Sequence, residues 1–104
     1  MLQQYQFKVR DKYAGTVLLK ETLAAATRPT AFIIISSKPL VGLENGSLYS
    51  FYSNGLLPFA NTHSVSKIYY NQSTLNLLTG DSQGHILVAF GEIETGFDFN
   101  FSYH

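Results

Sequence analysis

Residues 67–103 read KIYYNQSTLNLLTGDSQGHILVAFGEIETGFDFNFSY and carry the clearest strand pattern of the chain. Runs of β-branched, aromatic and aliphatic residues alternate there with clusters of Asn, Gln, Ser, Gly and Asp. Such clusters are typical of turns, and the runs between them have the length of strands. Residues 97–103 alternate strictly between aromatic and polar side chains, which indicates a strand with one aromatic face. The stretch therefore predicts successive antiparallel hairpins, with turns at Asn71–Ser73, Gly80–Gly84 and Thr95–Gly96.

The same kind of pattern extends toward the beginning of the chain. Residues 4–10 alternate apolar and polar side chains, which predicts a half-buried strand, and residues 31–36 form a short apolar run typical of a buried strand. Residues 47–53 predict an aromatic strand. Asn54-Gly55 is a strong hairpin signal, because a type I′ turn needs positive φ at both positions. Pro58 confines the following stretch to an edge strand or a loop.

Two segments are harder to interpret. Residues 15–27 contain three consecutive alanines and several leucines, with Thr16 available as an N-cap and Pro29 beyond the end. We predict a helix there, with a strand as the alternative because residues 16–19 also suit one. Residues 37–46, with Pro39, Gly42 and Asn45-Gly46, predict a loop.

The fold class that follows is mostly β, either all-β or α+β. We expect a single domain over residues 1–104, built as an antiparallel sandwich or a strongly bent sheet of seven to eight short strands, with a helix at about 15–27 in the second case. The sequence shows no evident internal repeat. The predicted core consists of Phe7, Val9, Ile33, Ile35, Phe51, Leu77, Leu87, Val88, Phe90, Phe99 and Phe101.

Charge is scarce and unevenly placed. Only 13% of the residues are charged, the net charge is zero and there is no cysteine. Residues 1–38 carry six basic and two acidic side chains, whereas residues 39–104 carry one basic and five acidic ones. The two halves can cancel within one fold or attract each other between two subunits. The absence of a signal peptide pattern and of a long apolar run predicts a soluble protein without a membrane segment, its compartment being otherwise open.

One motif invites a catalytic interpretation. Gly80–Gly84 fits the pattern G-x-S-x-G, which in α/β-hydrolases exposes a nucleophilic serine at a turn between a strand and a helix. The segment that follows, residues 85–90, is β-branched and aromatic rather than helical. We therefore interpret the motif as a plain turn, with Ser82 outside any catalytic role, and predict no enzymatic activity and no catalytic residue.

The titratable residues do not indicate a metal site or a cofactor. His63, His85 and His104 are too widely spaced for a local metal-binding motif. Glu92 and Glu94 lie two residues apart on one face of a strand, and a solvated polar face explains them better than an acid–base pair. We predict neither metal nor cofactor.

Tyrosine and a basic stripe are the signals for a contact surface. Tyrosine is enriched at interfaces, because its ring is apolar while its hydroxyl keeps a hydrogen bond. Lys8, Arg10 and Lys12 form a basic stripe on one face of the first strand. Protection of an edge strand against unwanted pairing explains this stripe better than contact with nucleic acid, which we do not expect as a partner. The candidate interface residues are Tyr49, Tyr52, Tyr69, Tyr70, Lys8 and Arg10.

Two classes of function follow. The first is a non-enzymatic module for protein interaction or assembly, binding a protein partner or further copies of itself, as in structural and accessory proteins of viruses and phages or small inhibitors that cover a partner. The second is a small-ligand or small enzymatic domain with a pocket between a curved sheet and a helix. Its candidate residues are His63, His85, Tyr69 and Asp81. We favour the first class.

Overall fold

The computed structural model describes residues 2–103, with side chains from residue 2 to residue 98, and all its regular structure is β. Every strand pairs antiparallel with a chain neighbour, so the mostly β prediction is confirmed, although the described residues form ten strands rather than seven or eight. The strands are β1 (Gln3–Arg10), β2 (Val17–Ala25), β3 (Pro29–Ile35), β4 (Lys38–Leu43), β5 (Ser47–Ser50), β6 (Gly55–Ala60), β7 (Val65–Asn71), β8 (Asn76–Asp81), β9 (Ile86–Glu92) and β10 (Gly96–Tyr103).

The strands form three sheets, which we name by their order in the chain. The hairpin layer is β1–β2, the first meander is β3–β4–β5–β6, and the second meander is β7–β8–β9–β10. Within each meander every strand is hydrogen-bonded to the next one in the chain. The connections between neighbouring strands are accordingly short, as is usual for antiparallel pairs.

The predicted helix at 15–27 is wrong, because most of that segment is the strand β2. It pairs with β1 along its length, and Leu23, which lies opposite Tyr5, is buried in the core. The helix preference of the alanines amounts to a few tenths of a kcal/mol per residue and is a weak guide. Pairing with β1 and burial of Leu23 outweigh it.

The predicted loop over residues 37–46 is also wrong in its central part, which is the strand β4. Residues 39–43 of this strand are all buried. Pro39 and Gly42, which suggested a loop, fit a buried strand for specific reasons. The carbonyl of Pro39 accepts a hydrogen bond from Phe51 N at 3.0 Å. Gly42 lies so close to the second meander that an added Cβ would be 2.4 Å from Val65 Cγ1.

The turns were predicted more accurately. Hairpin turns follow β7, β8 and β9 where expected, and Pro58 lies in β6, an edge strand of its sheet. The hairpin at Asn54-Gly55 is present, but its turn differs from type I′. Asn54 has a φ of 55°, whereas Gly55 does not have positive φ and begins β6 after a four-residue turn.

The first meander is the middle layer, and both of its faces are covered. Leu40 and Leu48 on one face pack with Leu77 and other residues of the second meander. Val41 on the opposite face packs with Leu23 of the hairpin layer. The order of the layers is therefore hairpin layer, first meander, second meander.

The predicted core is partly confirmed. Ile35, Phe51 and Leu77 are buried. Phe90 is 43% exposed, so its prediction as core is wrong, because it lies on the face of the second meander that points away from the first. The side chains of Phe99 and Phe101 fall outside the described residues. The remaining predicted core residues, Phe7, Val9, Ile33, Leu87 and Val88, are half-buried.

The structure shows an internal repeat that the sequence did not reveal. In both meanders the turn between the second and third strands ends on a glycine with positive φ, 94° at Gly46 and 84° at Gly84. Gly46 N donates to Leu43 O at 3.0 Å, and Gly84 N donates to Asp81 O at 3.1 Å. A second pair of bonds is also equivalent. In each meander the residue after the second strand donates its backbone N–H to the carbonyl of the residue before the first strand, and the bonds Glu44 N to Arg28 O and Ser82 N to Ser64 O are both 2.9 Å long.

Candidate functional site: the open face of the second meander

Within the described residues, the second meander is covered on one face only, and we call its other face the open face. Side chains directly opposite one another on paired strands share a face. Tyr69 lies opposite Leu78, which lies opposite Val88. Phe90 and Ile86 follow on β9, because they are two residues away from Val88 on either side.

These apolar side chains are accessible to solvent. Tyr69 is 59% exposed, Phe90 43% and Ile86 40%, while Leu78 and Val88 are half-buried. An antiparallel sheet with a solvated face normally carries polar side chains there. A contiguous apolar patch on one face is typical of an interaction surface.

Two charged residues flank this patch on opposite edge strands. Lys67 lies on β7, opposite Gly80. Asp98 lies on β10, opposite Phe90. The patch therefore has a positive side at β7 and a negative side at β10.

The four candidate tyrosines lie in different environments. Tyr69 is on the open face, and Tyr52 is 44% exposed in the turn after β5. Tyr49 is half-buried and packs edge-on against Phe51, with ring centroids 5.0 Å apart. Tyr70 points between the meanders. Tyr69 and Tyr52 are thus the accessible ones.

Tyr70 is held in place by specific contacts. Its hydroxyl donates to Gly91 O at 2.7 Å, and its ring meets Phe97 edge-on with centroids 5.9 Å apart. Burial raises the pKa of the Tyr70 hydroxyl, and the nearby carboxylates of Glu92 and Glu94 raise it further. These contacts join β7 to β9 and β10 within the second meander.

The basic candidates lie at the other end of the stack of layers. Lys8 and Arg10 are exposed on the outer face of the hairpin layer, away from the first meander. Lys8 lies directly opposite Lys20, and an Arg10 guanidinium nitrogen donates to Gly15 O at 3.1 Å. The structure therefore does not bring the basic and tyrosine candidates together within one chain.

A cleft of about 690 Å³ opens between β3 and β7. The predicted pocket between a sheet and a helix is wrong in form, since the described residues contain no helix, and this cleft lies between two edge strands instead. The Ser36 hydroxyl donates to Glu94 Oε1 at its rim, and this bond, together with a backbone amide, holds the pKa of the Glu94 carboxyl below its ordinary value. The lining also includes Ile33, Ile34, Ile35, Tyr69, Tyr70 and Glu92.

Three of the residues proposed for a ligand site do come together. Asp81 is buried, with Oδ2 3.7 Å from His85 Nδ1, and the rings of His85 and His63 lie 5.8 Å apart. Tyr69, the fourth, lies apart on the open face. A cavity of only about 80 Å³ adjoins the cluster, too small for a typical ligand pocket.

The local hydrogen bonds explain this cluster structurally. Asp81 Oδ1 accepts bonds from Gln83 N at 2.9 Å and His85 N at 3.0 Å, so the carboxylate closes the turn after β8. Burial alone would raise the pKa of Asp81, but these two amides and the His85 and His63 rings together hold it below its ordinary value. The prediction that Gly80–Gly84 is a turn is confirmed, and Ser82 is exposed within it.

Among the described residues, no group of three or more His, Cys, Asp or Glu side chains, the cluster of Asp81, His85 and His63 included, is arranged so that it could hold a metal ion. Nor do the described residues include a helix with the length and apolar character needed to cross a membrane.

Comparisons of the chain with protein-family models, with curated proteins and with solved structures find no match. The open face and the composition of the chain are therefore the features that bear on its function. Sequence reasoning identified Tyr69 in this surface but missed Phe90, which it assigned to the core. Alternation along β9 places Phe90 and Ile86 on the same face of the strand. It does not show which of the two faces is covered by another layer.

Proposed function

We propose that the protein is a non-enzymatic interaction or assembly module whose contact surface is the open face. The observation that carries this proposal is the concentration of exposed apolar side chains, Tyr69, Ile86 and Phe90, on one face of a four-stranded sheet. Burying apolar surface contributes about 25 cal/mol per Å², so covering such a face drives association.

The composition supports the same proposal. With 13% charged residues and zero net charge, copies of this chain repel one another weakly. Structural and accessory proteins of viruses and phages, and small inhibitors that cover a partner, are classes in which such a module would serve.

The aromatic residues of the patch, Tyr69 and Phe90, should dominate binding. Tyrosine is enriched among the hot spots of interfaces, and truncating a hot-spot side chain costs about 2 kcal/mol or more, a loss of roughly 30-fold in affinity. Tyr69→Ala should therefore weaken association by about that factor. Tyr13→Ala is the matched control, because Tyr13 is 91% exposed in the turn after β1, outside the patch.

Sedimentation over a range of protein concentrations, with capture of partners from the natural source, tests the proposal. We expect the wild-type chain to associate with itself or retain a partner, Tyr69→Ala to lose this, and Tyr13→Ala to keep it. A wild-type chain that stays monomeric and retains nothing would refute the proposal, as would equal effects of the two substitutions.

The cleft between β3 and β7 supports a small-ligand function as the second candidate. Its volume of about 690 Å³ lies within the usual range for ligand pockets, and Glu92 and Glu94 would favour a cationic ligand. A screen of small cationic compounds by NMR tests it. Shifts confined to Ile33–Ser36 and Glu92–Glu94 would support this candidate, and unchanged spectra would dismiss it.

A further inference from the structure

We propose that the open face is covered by the hairpin layer of a second copy of this chain, so that the stack of layers continues head to tail from one molecule to the next. This inference rests on the proposed function and names the partner of the same surface. It unites the two groups of candidate residues that lie at opposite ends of one chain, Tyr69 at one end and Lys8 and Arg10 at the other.

The repeat relates the open face of the second meander to the face of the first meander that is covered by another layer. Counting outward from the equivalent turn glycines, Leu40 corresponds to Leu78 and Leu48 corresponds to Ile86. Leu40 and Leu48 are fully buried, because the second meander packs on them. Ile86 is 40% exposed, since no described layer follows the second meander.

Glycines make the same point. Gly42 lets Val65 of the next layer approach so closely that a Cβ there would lie 2.4 Å from Val65 Cγ1. Gly80 is the equivalent residue on the open face. A Cβ on Gly80 would meet nothing nearer than Ser66 Oγ at 3.9 Å. The second meander thus keeps the flat position that in the first meander admits a neighbouring layer.

Among the described layers of a second copy, only one face remains to continue the stack. The first meander is covered on both faces, and the second meander receives the first on its inner face. No described residue covers the outer face of the hairpin layer. It presents Lys8 and Lys20 directly opposite each other, with Leu18, 65% exposed, in the nearby bulge of β2.

Charge indicates that this hairpin face has an anionic partner. Like charges directly opposite each other on paired strands are destabilising, so Lys8 and Lys20 gain from a neighbouring carboxylate. Among the described side chains, neither forms an ion pair. Asp98 supplies negative charge on the β10 side of the open face, whereas Lys67 lies on the β7 side. The cations of the second copy should therefore lie near Asp98 and Phe90, where they can also contact the aromatic ring.

Association of this kind is heterologous, because the two surfaces in contact differ. Such contacts close into a ring when the rotation per copy permits it and otherwise form a filament. Radially packed four-stranded sheets close in this way in β-propellers. Wild-type chains should therefore form species larger than a dimer.

Two substitutions, one at each end, test the arrangement without threatening the fold. Lys8→Glu places opposite charges across β1 and β2, which should stabilise the hairpin layer while weakening association roughly 10-fold or more. Gly80→Val adds a β-branched side chain in open space on a strand, which should leave the monomer folded while blocking close approach of another layer. Lys12→Glu, in the turn after β1, is the matched control for the change of charge.

Sedimentation of each variant alone and of the two mixed gives the decisive result. We expect Lys8→Glu and Gly80→Val each to be monomeric alone, and their equimolar mixture to form a dimer, since each contributes one intact surface. Lys12→Glu should assemble like wild type, and wild-type assembly should weaken above about 0.15 M salt, where the screening length falls below about 8 Å.

Four results would overturn the inference. If Lys8→Glu assembles like wild type while Gly80→Val does not, two open faces pair with each other. If Gly80→Val assembles like wild type, the open face is not in the contact. If the wild-type chain is monomeric but binds another protein through Tyr69, the proposed function stands and the second copy is excluded. A wild-type chain that binds nothing at all refutes both.

Discussion

Gly42 and Gly80 occupy equivalent positions in the two meanders, yet alanine should affect them in opposite directions. At Gly42 the new Cβ would lie 2.4 Å from Val65 Cγ1 and 2.6 Å from Val65 Cβ. Valine is stiff at χ1 and cannot swing away, so the meanders must separate slightly. Overpacking of this kind costs about 1–3 kcal/mol.

At Gly80 the same substitution removes only conformational freedom from the unfolded chain. The new Cβ would have a single neighbour, Ser66 Oγ at 3.9 Å, and the backbone does not have positive φ. Gly80→Ala should therefore be neutral or stabilise by about 0.4–1 kcal/mol. The difference between the two variants is then about 1–4 kcal/mol by these ranges.

Chemical denaturation at low protein concentration, where association does not contribute, measures both variants. A double substitution with Val65→Ala completes the cycle, and its cost should be less than the sum of the single costs because the two sites touch. Equal stabilities of Gly42→Ala and Gly80→Ala would refute the assignment of one covered and one open face. A cost at Gly42 that adds fully to that of Val65→Ala would refute the contact between them.

Three further predictions concern the strands and turns. Leu23→Ala should cost about 2–5 kcal/mol in thermal or denaturant unfolding, because Leu23 is buried between layers, and a negligible loss would contradict β2. Thr79→Val should cost about 1–3 kcal/mol, since it leaves the buried Asn61 amide without the Thr79 hydroxyl 2.8 Å from its Oδ1; unchanged stability would show that water replaces the bond. Asp81 has a folded pKa below its unfolded value of about 4. Its contribution to the free energy of unfolding is therefore complete above about pH 4 and is lost as the pH falls through the folded pKa. Asp81→Asn should reduce the loss of stability at acidic pH when the free energy of unfolding is measured against pH. An unchanged pH dependence would show that other carboxyl groups cause this loss.

Local signals in the sequence were reliable where turn chemistry decided the structure. The turn at Gly80–Gly84 and the edge position of Pro58 follow from residues that need particular backbone geometry. Residues 17–25 and 38–43 were misassigned because pairing with neighbouring strands outweighed the propensities of alanine, proline and glycine. The propensities of single residues do not show which strands a segment will pair with.

The candidate site was only half predictable for a related reason. In residues 48–52 and 68–70 both faces of the strand are apolar or aromatic, which indicates that one face is core and that the other is either covered as well or exposed as a contact surface. Which face is covered depends on the order of the layers, and no short-range pattern encodes that order. The repeat is not evident in the sequence, because the meanders share little beyond turn glycines such as Gly46 and Gly84 and the apolar positions around them.

Hydroxyl-radical footprinting across protein concentration tests the role of the open face most directly, because it needs no substitution. As the chain associates, oxidation of Tyr69 and Phe90 should fall severalfold, while that of Tyr13, which is 91% exposed away from the patch, should stay constant. Association that leaves Tyr69 and Phe90 as reactive as in the monomer would contradict the assignment of the open face as the contact surface.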